Sequence, residues 1–372
     1  MNRISRVALI LCVCFVSLAW GQQAAGTCIS NWSEFHRTNM RRWNPCEKVL
    51  SINNVGKLRL KWTYTTGNSV FSSPAVANGV VYVGSDDGNV YALNAKTGAK
   101  LWNYTTGGFV YSSPAVANGV VYVGSEDGHV YALTASTGAL LWSSQTGGVV
   151  DSSPAVVNGV VYVGSGNGTV RALNARTGSK LWSSFTDVAS FSSPAVASGV
   201  VYVGSVDSDM YALNAKTGAK LWSSTVGGGD SSPAVANGVV YVGQDNVYAL
   251  NASTGTLLWT YNAFYGLISL PAVAQGVVYV DTEDPYVYAL NASTGALLWS
   301  YDTDGGDSSP AVANGVAYVG SYNGTVYALN AKTGALLWSY AIGNIVQSSP
   351  AVANGMVYVG SYDGKIYAFG LK

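Results

Sequence analysis

The chain carries two histidines, His36 and His129, and four cysteines, Cys12, Cys14, Cys28 and Cys46, in 372 residues. Metal sites built on several imidazoles, and nucleophiles activated by histidine, are therefore confined to two positions. His129 follows Asp127-Gly128, where other copies of the same turn place Asn89, Thr169 or Lys365, so it reads as a variable turn residue. Carboxylates are the other source of chemistry. Turns such as Asp86-Asp87-Gly88 lack the dense alternating acids of a calcium loop, and turn formation accounts for them. Thr106-Gly107-Gly108 lacks the strand-to-helix setting of a phosphate loop. No catalytic, cofactor-binding or metal-binding set emerges. What stands out instead is a pair of departures from the surrounding pattern. The stretch 261–270 reads YNAFYGLISL and brings in Phe264 and Tyr265, and shortly beyond it come Asp281, Glu283, Asp284 and Tyr286 around a proline. Aromatic rings beside carboxylates suit a sugar, a cation or a basic peptide strand.

The elements that position these residues follow from a repeat. The unit SSPAVANGVVYVGSDDGNVYALNAKTGAKLWNYTTG recurs from residue 72, with prolines at 74, 114, 154, 194, 233, 271, 310 and 350. A period near 40 must be read before any local pattern, because it marks a repeat architecture. Each unit divides into four short strands: Ser73 to Ala77, Val80 to Gly84, Val90 to Ala95 and Ala99 to Tyr104. Asn78-Gly79 between the first two is a hairpin turn of the kind that wants positive φ. The second strand is apolar on both faces, as in a sheet packed between two others. Pro74 at the start of the first strand places that strand at the edge along a central channel. Strands of this length are too short for a transmembrane barrel.

The ends of the repeat supply its closure. Leu58 to Tyr64 is a fourth strand with no first three, and Ser348 to Leu371 gives three strands with no fourth. Together they complete one blade, so the fold expected over residues 58–372 is an all-β, eight-bladed propeller of four-stranded blades.

Strand direction then sorts the charges. Nineteen basic residues balance nineteen acids, and only 10% of the chain is charged, which leaves no footprint for nucleic acid. Apart from Glu34 and Glu47, every acid falls in the turns between second and third strands or in the loops between blades, on one face of the disc. Lys96, Lys100, Arg176, Lys180, Lys216, Lys220 and Lys332 fall on the other. The acidic face, with Asp151, Asp230 and Asp307 at its loops, is the expected docking surface for basic or extended segments of a protein partner. Arg171, which replaces the tyrosines at 91 and 131, is expected to pair with a neighbouring carboxylate.

Residues 1–21 read as a secretory signal peptide: Arg3 and Arg6, an apolar run from Val7 to Leu18, and small residues at Ala19 and Gly21. Cleavage after Gly21 leaves an extension over 22–57 in a secreted or periplasmic chain with no further membrane span. Lipid anchoring at Cys28 is disfavoured by the preceding Ala25-Gly26-Thr27. Cys28 and Cys46 are the cysteines that remain, and in an oxidising compartment they are expected to form one disulfide.

The segment Ala92-Leu93-Asn94-Ala95-Lys96-Thr97-Gly98-Ala99-Lys100-Leu101-Trp102 resembles the tryptophan-docking motif of pyrroloquinoline-quinone-like β-propellers, with Asn94 where that family usually has Asp. The resemblance covers residues 58–372 and implies eight blades whose indole rings pack on the neighbouring blade: Trp62, Trp102, Trp142, Trp182, Trp222, Trp259, Trp299 and Trp338. It also implies two kinds of relative. Quinoprotein dehydrogenases hold the quinone and calcium, typically beneath adjacent cysteines. The propeller subunit of the outer-membrane β-barrel assembly machinery is a non-enzymatic scaffold. This chain has no adjacent cysteines after the signal segment and no long insertions, so a scaffold without cofactor is the expectation. A reduced quinoprotein and a carbohydrate-binding propeller are the alternatives.

Overall fold

In the computed structural model, residues 30–36, 41–186, 191–206, 209–226, 229, 231–263 and 269–372 are described. Eight four-stranded antiparallel blades run in chain order. In blade 1 the strands are Ala75–Ala77, Val80–Gly84, Asn89–Asn94 and Lys100–Thr105. The first strand starts after Pro74 and is three residues long, shorter than the sequence pattern suggests. Ser72 and Ser73 are drawn out of it by hydrogen bonds to the next blade, described below. Asn78 and Gly79 take φ of 51° and 78°, the left-handed pair that a two-residue hairpin requires.

The eighth blade is composite. Arg59–Thr65 pairs antiparallel with Lys365–Gly370, so an N-terminal strand completes the sheet formed by the last three strands of the chain. Closure of this kind leaves no blade missing a neighbour.

One hydrogen bond recurs between blades. The indole Nε1 of Trp62 donates to the carbonyl of Ala95 at 3.0 Å, and Trp102, Trp142, Trp182, Trp222, Trp259 and Trp299 repeat it on the next blade's turn. The indole lies flat on the turn glycine: a Cβ on Gly98 would sit 2.7 Å from the Trp62 ring, so only glycine fits there. Second-strand tyrosines such as Tyr82 donate to the same carbonyls. Trp338 differs because the third and fourth strands of the eighth blade, Lys365–Gly370 and Arg59–Thr65, are not joined by a turn of this kind. It packs edge-on against Phe369 at 5.1 Å instead. Tyr318 at that seam is fully buried with no partner for its hydroxyl.

The N-terminal segment enters from the lysine-bearing face and seals the channel. Trp32 bridges to Val76, and Trp43–Asn44 adds a parallel strand to the first strand of blade 7. Arg42 is fully buried between the rings of Trp32 and Phe35, 5.1 and 5.0 Å away. Its guanidinium donates to the carbonyls of Phe35, Pro310 and Pro350. His36 is buried beside the carbonyl of Pro233. Burial, reinforced by Arg42, lowers its pKa to about 3, so it stays neutral. No helix among the described residues is long and apolar enough to cross a membrane.

Candidate functional site

Paired serines build the channel wall. The hydroxyl of Ser72 accepts from Gly84 N within its own blade and donates to the carbonyl of Ser112 in the next. The backbone N–H of Ser73 donates to the hydroxyl of Ser113, and the same step continues through Ser153 and Ser193 to Ser232. It resumes from Leu270 through Ser309 and Ser349 back to Ser73. Leu270 stands where the other blades have serine, so the girdle has one gap, after Ser232. This role of the Ser-Ser-Pro signature was not read from the sequence, although its recurrence in every blade but the sixth, which reads Ser269-Leu270-Pro271, was the available signal.

Above the girdle, on the acidic face, the channel opens into a cavity of about 330 Å³. Phe35 of the N-terminal segment closes its floor. Phe71, Tyr111, Asp151, Asp307 and Gln347 form its walls above the serines. Phe71 packs on Tyr111 at 5.2 Å and on Tyr362 at 4.2 Å. Tyr362 donates to Gln347, which in turn donates to Asp307. No lysine or arginine lines the cavity among the described residues.

The carboxylates around this mouth are of two kinds. Asp87, Asp127 and Asp363 staple their turns: Asp87 accepts from Tyr91 Oη at 2.6 Å and from Gly67 N at 2.6 Å, and Asp127 repeats this with Tyr131 and Gly107. Burial pushes the pKa of these groups up, but the hydrogen bonds outweigh it and hold them below the usual range. Asp86 is the other kind. It is 8% exposed, and its Oδ1 has no hydrogen-bond partner. Burial, with Glu126 and Asp87 nearby, raises its pKa to about 7. The same field reaches the mouth: burial first, then Asp86, Glu126 and Asp151, raise the pKa of Tyr111. Tyr362 is pushed up to about 12 by burial and by Asp307 and Asp86.

The predicted face is thus only partly assembled. Asp151 and Asp307 line the mouth, while Asp230, Phe264 and Tyr265 lie outside the described residues. Glu283 and Tyr286 are exposed, but Asp281 and Asp284 point inward. Asp284 accepts from Tyr288 at 2.8 Å and also from Thr282, which makes it another turn staple. Asp281 has a different cause. It replaces the glycine that ends the second strand elsewhere, and a Cβ on that glycine would meet a valine of the following loop, as Gly84 would meet Val110 at 2.4 Å. In blade 6 the facing residue is Gly306, whose Cβ would lie 2.8 Å from Asp281 Oδ2. The carboxylate therefore fills space that valine fills in sibling blades.

Arg171 also departs from expectation. Asn167 stands where Asp87 and Asp127 serve their tyrosines, so no turn carboxylate awaits it. Its guanidinium donates to the carbonyls of Gln145 and Thr146. Cys46 is disulfide-bonded, and its expected partner, Cys28, lies outside the described residues. No group of three or more potential metal-ligating His, Cys, Asp or Glu side chains converges among the described residues.

Comparison with known proteins places this architecture. The family model described as outer membrane protein assembly factor BamB matches residues 53–109, 105–232, 207–309 and 303–372. The chain belongs to that family. Among solved structures it is similar to BamB from Moraxella catarrhalis, with a TM-score of 0.72 and 21% identity over 84% of this chain and 100% of that one. It is also similar to a europium-containing methanol dehydrogenase, with a TM-score of 0.81 and 17% identity over 92% of this chain and 98% of that one. Identities this low speak for the fold alone. Curated relatives include the quinoprotein alcohol dehydrogenase PedE of Pseudomonas putida, 41% identical over 68 residues. The dehydrogenase subunit of the quinone-dependent alcohol dehydrogenase of Gluconobacter oxydans is 31% identical over 98 residues. These matches cover 17% and 23% of this chain and only 11% and 13% of those proteins. A BamB-family propeller therefore shares its blade with enzymes as well as with an assembly factor.

Proposed function

We propose that this BamB-family propeller is a non-catalytic scaffold of the cell envelope or extracellular space, binding a protein partner through its acidic face. The observation that carries this reading is the lining of the channel mouth: carboxylates, hydroxyls and aromatic rings, without a cation among the described residues, above a floor closed by Phe35. Pyrroloquinoline quinone is a polycarboxylate; no cationic side chain among the described residues lines the mouth to neutralise it, and Asp151 and Asp307 would oppose it unless calcium stood between them. The residues at the mouth offer that cofactor no cationic partner of their own. The Cys28–Cys46 link, formed in an oxidising compartment, would tether the extension whose inner part plugs the channel.

The opposite face carries Lys96, Lys100, Arg176, Lys216 and Lys332, all exposed. A photo-crosslinking residue placed at Glu283 on the acidic face should therefore trap discrete protein adducts in the native cells, and one at Lys332 should not. Charge reversal by Asp151→Lys with Asp307→Lys should suppress those adducts. Equal adducts from both faces, or adducts untouched by the reversal, would contradict the assignment of the docking face.

A further inference from the structure

We propose that the pocket between blades 4 and 5, on the lysine-bearing face, receives an acidic side chain from an extended peptide segment of a partner, with an apolar residue of that segment packed beside it. The pocket lies on the face opposite the turn carboxylates, and the proposal does not rest on the acidic-face reading. At about 650 Å³ it falls within the range of ligand sites. Tyr202, Leu221 and Trp222 of blade 4 give it apolar walls, Asn237 and Gly238 of blade 5 border it, and Arg41 of the N-terminal segment supplies a cation. The Arg41 guanidinium stands 5.9 Å from the Trp43 ring and forms no hydrogen bond or ion pair among the described residues. No carboxylate lines the pocket among those residues, and Lys216 and Lys220 are exposed on the same face.

The molecule itself shows what such a place accepts. Between blades 7 and 8 the corresponding hairpin turns, Asn314-Gly315 and Asn354-Gly355, are covered by the chain's own N-terminal segment. There Glu47 Oε2 accepts from Gly355 N at 3.1 Å, and the carbonyl of Leu50 accepts from Asn314 Nδ2 at 2.8 Å. Glu47 and Leu50 are both buried, and Leu50 shares one apolar cluster with Tyr318 and Trp338, the counterparts of Tyr202 and Trp222. A carboxylate and a leucine three residues apart thus fill the gap between two blades. Between blades 4 and 5 the counterpart of Gly355 is Gly238, and its N–H has no partner among the described residues. Ser198 stands in the place of Asn314, and its hydroxyl can donate to a carbonyl in the same way. Blade 5 keeps the turn at Ala252-Ser253 that the composite blade 8 lacks, so the pocket asks for a short segment only. Arg41 then adds to the Gly238 N–H a charged donor, and a carboxylate is the group that satisfies both.

The test uses the whole mature chain, residues 22–372, and a short peptide blocked at both ends, Ala-Glu-Ala-Val-Leu-Ser, titrated by calorimetry at low salt beside its glutamine twin. The glutamate peptide should bind saturably at one site, and the twin at least about tenfold more weakly, since only the charged hydrogen bonds are lost. Arg41→Gln should bring the glutamate peptide down to the level of its twin. The melting midpoint should stay close to that of the parent, because this half-buried side chain makes no hydrogen bond among the described residues. Arg41→Lys, which keeps the charge without the fork of donors, should retain part of the preference for glutamate. Leu221→Ser alters an exposed wall residue and should weaken both peptides alike by a few-fold. Equal binding of the two peptides, a preference that survives Arg41→Gln, or no binding by either would overturn the proposal. None of these results touches the acidic face, where crosslinking from Glu283 is the separate test. Lys332, the control position there, belongs to blade 7 and does not line this pocket.

Discussion

Restoring the sibling pair in blade 6, by Asp281→Gly together with Gly306→Val, is expected to raise stability at pH 7 by roughly 2–4 kcal/mol, the range for removing a buried unsatisfied polar group and refilling its space with an apolar one. Asp281 is fully buried, and neither carboxylate oxygen has a partner. Burial above all pushes its pKa well above the usual carboxylate range, and Asp307 and Asp284 add to it. The sign follows from linkage. Above about pH 4 the unfolded carboxyl releases its proton while the folded one keeps it, so this group's contribution to stability falls as pH rises until the folded carboxyl also ionises. Denaturant midpoints at pH 4, 5.5 and 7 should show a downward slope in the parent that is reduced in the double variant. A variant less stable than the parent at pH 7 would contradict this placement of the carboxylate.

Replacing Arg42 with alanine should have the opposite effect, a loss of about 3–5 kcal/mol, the range for breaking a buried charged hydrogen-bond set. The substitution strands the carbonyls of Phe35, Pro310 and Pro350 and empties the space between Trp32 and Phe35. Burial lowers the Arg42 pKa to about 9, so the group remains a cation at neutral pH and lies against acceptors rather than an anion. Arg42→Lys should recover only part of the loss, because an ammonium cannot reproduce the planar fork of donors. Chemical unfolding checks the magnitude, and limited proteolysis within residues 41–58 should quicken as the plug loosens. An unchanged midpoint in Arg42→Ala would mean that the segment does not seal the channel.

Much of this architecture is legible in the repeat. A forty-residue period, a tryptophan after each Thr-Gly turn and an orphan fourth strand before the first whole unit lead directly to eight blades and a composite closure. That the tryptophans pack on neighbouring blades is what the family resemblance implies, while the bond from Trp62 to the Ala95 carbonyl appears only in the structure. The charged faces follow from strand direction alone. What the sequence does not reveal is where unique residues go. Arg42 and His36 belong to a segment without a repeat, so nothing in their spacing shows that they enter the channel. Asp281 looks like part of an acidic loop until its three-dimensional partner, Gly306, is known, because the exchange of a glycine–valine contact for an aspartate–glycine contact spans two blades. Arg171 misleads for a related reason: its carboxylate partner in sibling turns has become Asn167. The serine girdle is the converse case, a regular signal whose meaning appears only when neighbouring blades are placed side by side.

The most direct test is a calorimetric titration of the mature protein with pyrroloquinoline quinone in the presence of calcium. A mouth lined by carboxylates, with no cation among the described residues, predicts no binding heat from a fully folded protein. Tight, stoichiometric binding would contradict the scaffold and make the channel mouth a redox site.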